Sequence, residues 1–85
     1  MDIKLEIFKK KLVYRAAYRG SKEMDILLSS FVNKHIDIFN ENQLLDLEKF
    51  LNFEDKVILN FYHHNIIENQ IDKNSVSIIF KKFIL

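Results

Sequence analysis

A lone glycine in a chain of 85 residues without proline is strong punctuation. It is Gly20, in the stretch Tyr18-Arg19-Gly20-Ser21-Lys22-Glu23-Met24-Asp25, and the apolar run Ile26-Leu27-Leu28-Ser29-Ser30-Phe31-Val32 follows at once. Glycine takes a left-handed conformation at little cost, so it is the usual residue just past a helix end. Ser21 can cap a new helix by accepting a backbone N–H, and Glu23 and Asp25 then fall in the first turn, where the helix dipole favours negative charge. The segment therefore predicts a tight break between two helices, with Arg19 and Glu23 on either side of it.

The rest of the chain is read around that break. From Ile3 to Tyr18 the apolar positions Leu5, Phe8, Leu12 and Ala16 recur at helical spacing, and Lys9, Lys10 and Lys11 are expected in water. Arg15 and Arg19 are four residues apart, which on a continuous helix puts both guanidinium groups on one face. A second helix, Ser21 to His35, has Met24, Leu27, Leu28, Phe31, Val32 and His35 as its inner stripe. Asn40 with Gln43 approximates a capping box for a third, whose inner residues are Leu44, Leu47, Phe50 and Leu51. Asn52-Phe53-Glu54-Asp55 opens a fourth with Val57, Ile58, Phe61 and Tyr62 facing inward. After a polar interval, Asn69 to Asn74, the residues Val76, Ile79, Phe80 and Phe83 mark a final helix running to the chain end. The expected fold is all-α, a compact bundle of about five short helices forming a single helical domain over residues 1–85.

Composition narrows the function. Hydrophobic content of 48% supplies a globular core, yet no apolar run reaches the ~18–20 residues of a membrane span. With no cysteine, disulfides, thiolate chemistry and Cys-based zinc sites are excluded. The N-terminus lacks a secretory apolar segment, and Asp2 and Glu6 suit a mitochondrial transit peptide poorly, so a bacterial cytoplasmic protein is expected. Net charge is +1, but residues 1–24 carry +4 and residues 25–85 carry −3, which makes the N-terminal part a basic surface able to steer an acidic partner.

The residues around the break also carry a resemblance. Arg19-Gly20-x-x-Glu23, preceded by Leu12-Val13-Tyr14-Arg15 and followed by Met24-Asp25-Ile26-Leu27-Leu28, resembles the signature of the succinate dehydrogenase flavinylation factors. Leu51-Asn52-Phe53-Glu54-Asp55 and Leu59-Asn60-Phe61 look like that family's later acidic break and aromatic-bearing helix, so the likeness extends over most of the chain. Two positions depart from it: Phe61 stands where many members carry Trp, and Lys56 replaces a common helix-opening Pro. The resemblance implies a small helical chaperone that promotes covalent FAD attachment to the flavoprotein subunit of succinate dehydrogenase, and extension to fumarate reductase flavoproteins is left open. It implies a partner-binding surface made of Arg19, Gly20 and Glu23 with Arg15, Tyr18, Ser21 and Lys22 around them.

Read without that likeness, Arg19 and Glu23 are an i,i+4 pair beside a helix break, a contribution of at most a few tenths of a kcal/mol. No enzyme signature accompanies them. One glycine cannot build a phosphate loop, and Ser29-Ser30 lacks a nucleophile elbow. His63 and His64, adjacent on a helix, point about 100° apart and make poor paired ligands. Glu41/Asp46 and Glu54/Asp55 read as helix starts rather than an acid–base couple. The isolated chain is thus expected to be a monomer with no bound flavin or metal and no catalysis of its own. A small basic helical nucleic-acid binder and an antitoxin-like adaptor are the alternatives, the former marked by strongly salt-dependent binding.

Overall fold

The computed structural model describes residues 2–85, and among them the structure is all-α: five α-helices, one short 3-10 turn and no strand. Backbone contacts group them into two units, the first ending at Phe39 and the second spanning Asn40–Ile84.

The first unit is a pair of packed helices, α1 (Ile3–Ala17) and α2 (Lys22–His35). Asp2 starts α1 by accepting the Lys4 N–H at 2.9 Å, and Ser21 starts α2 by accepting that of Met24 at 3.3 Å. Leu12 and Ala16 of α1 are buried, as are Met24, Leu27, Leu28, Phe31 and Val32 of α2, the stripe expected from their spacing. Leu5 and Phe8 are only half-buried. His35 is half-buried too. Its Nδ1 lies 2.8 Å from the Phe31 carbonyl, and its ring packs between Phe31 and Phe39 with centroids at 4.5 and 5.3 Å. Lys9 departs from the expected water-facing lysine run: its ammonium is 3.6 Å from the Asp37 carboxylate, and its side chain retains only 18% of its exposure. Asp37 is itself 88% exposed, so this pair contributes little to stability. Lys10 and Lys11 are exposed as expected.

The second unit holds α3 (Glu41–Leu51), α4 (Asp55–His64), a 3-10 turn (Ile71–Lys73) and α5 (Ser75–Lys81). The capping box is complete: Asn40 Oδ1 accepts the Gln43 N–H, and Gln43 Oε1 accepts the Asn40 N–H, both at 2.9 Å. Leu44, Leu47, Phe50 and Leu51 are buried, as are Val57, Ile58 and Phe61. Phe80 stacks against Phe50 at 5.1 Å and Tyr62 at 4.8 Å.

Three features differ from the sequence expectation here. The polar interval contains a fully buried residue, Ile71, around which the 3-10 turn forms. Asp46 lies in the middle of α3 rather than at a helix start. Its carboxylate accepts from the Ser75 hydroxyl at 2.6 Å, and its carbonyl accepts from the Asn74 amide at 2.8 Å. Asn74 Oδ1 in turn takes the N–H groups of Val76 and Ser77, so one polar cluster fixes the start of α5. Finally, α5 stops at Lys81 instead of continuing to the end. The Lys82 and Phe83 N–H groups close tighter three-residue bonds to Ile79 and Phe80, while the Tyr62 hydroxyl donates to the Phe83 carbonyl at 2.6 Å. Replacing Asn74 by Ala removes the cap and the tie to Asp46 together. We expect a loss of about 1–2 kcal/mol in chemical denaturation, roughly 4–8 °C in Tm per kcal/mol for a chain of this size.

Candidate functional site

The connection between α1 and α2 is built from a few local decisions. Tyr18, at φ −129° and ψ 67°, leaves helical space and ends α1 at Ala17, one residue earlier than the apolar pattern suggests. Arg19 therefore lies beyond the helix, and the expectation that Arg15 and Arg19 share a helical face does not hold. Gly20 then turns the chain at φ +109°. The other left-handed residues, Asn65, Asn69 and Gln70, stay between 53° and 59°, the ordinary left-handed well that asparagine tolerates. Gly20 lies far outside that well, where a β-carbon is strained whatever the surrounding space. Beyond Gly20 and its chain neighbours Arg19 and Ser21, no atom lies within 4 Å of the place such a carbon would occupy, so the strain is local to the backbone and the ground above Gly20 is open.

Asp25 fixes the turn from the far side. Its carboxylate accepts the backbone N–H of Arg19, six residues back, in a part-buried bond. In the sequence Asp25 reads only as a first-turn anion for the α2 dipole. A bond reaching backward over a glycine turn leaves no spacing signature, because its closure depends on the turn geometry. Removing it with Asp25→Ala should lower stability by about 1–2 kcal/mol, since a part-buried N–H loses a charged acceptor. Asp25→Asn, which keeps an acceptor, should recover much of that loss, and denaturant melts of the two variants measure the difference.

Of the residues singled out in sequence, Ser21, Lys22, Glu23 and Gly20 are exposed in the turn and the first turn of α2, with Ser21 serving as the cap. Arg19 is half-buried beside them, and Arg15 is half-buried in the last turn of α1. Tyr18 is 69% exposed and stacks on Tyr14, itself 65% exposed, with ring centroids 4.6 Å apart. Tyr14 is the addition to the set: the i,i+4 spacing of the two tyrosines is visible in the sequence, and the exposure is not. The arrangement offers an open backbone at Gly20, a guanidinium and a carboxylate close to it in sequence, and an aromatic pair alongside. These groups can form charge-assisted hydrogen bonds and aromatic contacts. Among the described residues, no group of three or more His, Asp or Glu side chains could hold a metal ion, and no helix is long and apolar enough to cross a membrane.

Comparison with known proteins gives a consistent set of relatives. A family described as flavinator of succinate dehydrogenase matches residues 10–83. Succinate dehydrogenase assembly factor 2-B, mitochondrial, of Drosophila simulans is 43% identical over 51 residues, covering 60% of this chain and 33% of that protein. Factor 2-A of Drosophila willistoni is 44% identical over 48 residues (56% and 31%). Assembly factor 2 of the yeast Meyerozyma guilliermondii is 40% identical over 50 residues (59% and 37%). The chain matches about a third of the length of these curated relatives. No solved structure matches it significantly.

Proposed function

The chain belongs to the flavinator of succinate dehydrogenase family, and from that membership we propose that it binds the flavoprotein subunit of succinate dehydrogenase and promotes covalent attachment of FAD to it. The match over residues 10–83, which takes in the whole Tyr18–Asp25 turn, is the observation that carries this reading. Arg19, Gly20 and Glu23 form the working surface, with Arg15, Tyr18, Ser21 and Lys22 at its margin. The absent β-carbon lets a partner backbone approach the turn, and Arg19 and Glu23 supply charge-assisted hydrogen bonds of opposite polarity beside it.

The chain's part is alignment. It holds the FAD-carrying portion of the partner in register, while the flavin and the partner's own histidine supply the bond-making chemistry. Proximity and orientation are what a scaffold of this size can contribute, and they are worth several orders of magnitude when a reacting pair would otherwise wander. The protein itself is neither an enzyme nor a flavin carrier in this reading. The nucleic-acid alternative is weaker, because Lys9 is turned into an ion pair with Asp37 and the basic run on α1 is reduced to Lys10 and Lys11.

The test is co-expression of the chain with a succinate dehydrogenase flavoprotein subunit, followed by co-purification and in-gel flavin fluorescence of the denatured subunit. Fluorescent, covalently loaded subunit that depends on the chain is the expected result. Loading that proceeds equally without it overturns the proposal.

A further inference from the structure

The outward side of α1 is not polar in the way a solvated helix face usually is. Ile3, Ile7 and Tyr14 on the helix and Tyr18 at its end are exposed, Ile3 to 76% and Ile7 to 50%, and their spacing of four, seven and four residues draws one stripe along the axis. Between Ile7 and Tyr14 the stripe dips into an open groove of about 480 Å³, lined by Ile7, Lys10, Lys11, Tyr14 and Arg15. Its accessible floor is almost wholly apolar, and every charged residue lining it is a cation. The opposite side of α1, Leu12 and Ala16, is already committed to the core.

We propose that this groove docks an acidic amphipathic helical segment of the partner, a second anchor beyond the turn at Gly20. The inference rests on the function proposed above, in that the segment belongs to the flavoprotein. Charge complementarity selects the occupant. An apolar side chain entering between Ile7 and Tyr14 would bring its flanking carboxylates up to Lys10 and Lys11, whereas a neutral segment would leave those two exposed ammonium groups without a counter-charge. The stripe from Ile7 to Tyr18 runs about 16 Å at 1.5 Å per residue, enough for three turns of a partner helix presenting anchors at helical spacing. It also ends at Tyr18, next to Arg19 and Gly20, so both anchors lie along one line of approach.

Other occupants fit less well. In a symmetric pair of copies meeting at this groove, the cations of one copy would face those of the other. A lipid surface calls for a broad apolar face, and α1 has only a stripe to spare.

The test uses the full chain and an FAD-loaded flavoprotein subunit, with association and dissociation followed at low and physiological salt. Lys10→Glu with Lys11→Glu should weaken binding about tenfold or more, mainly through slower association, and flatten the salt dependence. Tyr14→Ser should weaken it about tenfold, mainly through faster dissociation. The altered side chains are exposed, so thermal melts should stay at the wild-type position, and Arg19, Gly20 and Glu23 are untouched. If the wild type binds and both variants bind equally well, the groove is not an anchor, while the function proposed above stands. If the wild type fails to bind the flavoprotein, that function falls and the groove assignment falls with it. Groove-dependent self-association in sedimentation, or groove-dependent binding to vesicles of phosphatidylglycerol and phosphatidylcholine, combined with unchanged flavoprotein binding, would assign the groove to another occupant and overturn the proposal.

Discussion

Covalently loaded flavoprotein should disappear when Gly20 is replaced by Val, although the protein should still fold. Two physical effects meet at this position, and they are separable. The first is strain: φ +109° lies outside the region an L side chain takes readily, and a β-branched residue is the poorest choice for it. The cost is on the order of 1–3 kcal/mol, roughly 4–24 °C in Tm for a chain of this length. The second is obstruction. Apart from its chain neighbours, a β-carbon at this site meets nothing within 4 Å, so any bulk added there projects into open space, where it would obstruct the proposed approach of the flavoprotein. Gly20→Asn distinguishes the two. Asparagine is strained at φ +109° as well, but it lacks the branched β-carbon of Val, so its melt should lie between those of Gly and Val. Its side chain still obstructs, so loading should fail in both variants. Loss of loading that follows the melts across Gly, Asn and Val, with the stable variant fully active, would mean that Gly20 serves only the turn.

The same contrast explains how far the sequence could be read. Where a structural decision is local it was legible. The Ser21 cap, the Asn40–Gln43 box and the inner stripe of α2 are each written within one or two turns of helix. Decisions that join distant residues were not. Asp46 looked like a helix-start anion, and its role became visible only when α5 brought Ser75 and Asn74 to it, nearly thirty residues along. Ile71 was hidden in a polar run because a single buried side chain in a 3-10 turn has no periodicity to announce it. Helix ends suffered in the same way. The pattern carried α5 past Lys81, but the Tyr62 hydroxyl takes the Phe83 carbonyl, and Tyr62 belongs to another helix. At the candidate site the turn and the cap were legible from Gly20 outward. The backward bond from Asp25, the outward stack of Tyr14 on Tyr18 and the exit of Arg19 from the helix all required coordinates.

Arg19→Lys should leave the fold intact and weaken flavoprotein binding roughly tenfold or more, the loss expected when a charge-assisted, two-pronged hydrogen bond becomes a single point contact. The structure sharpens this test. The bond that positions the turn is made by the backbone N–H of Arg19, not by its guanidinium, so changing the side chain leaves the link to Asp25 in place. Long-range steering also survives, because lysine keeps the charge. A binding defect in Arg19→Lys should therefore appear in dissociation, with association and its salt dependence close to wild type. Glu23→Gln is the complementary change on the other side of the turn. Glu23 is exposed in the first turn of α2, where an anion adds only a few tenths of a kcal/mol through the dipole, so its loss should hardly move the melt. If Arg19 and Glu23 each contact the flavoprotein, both single variants should reduce the loaded fraction, and the double variant should reduce it further. If their only role is toward each other, Arg19→Lys should be nearly silent and the double variant should load FAD as well as the wild type. Full loading by the double variant would remove Arg19-Gly20-x-x-Glu23 from the working surface and leave the α1 groove to account for any binding that remained.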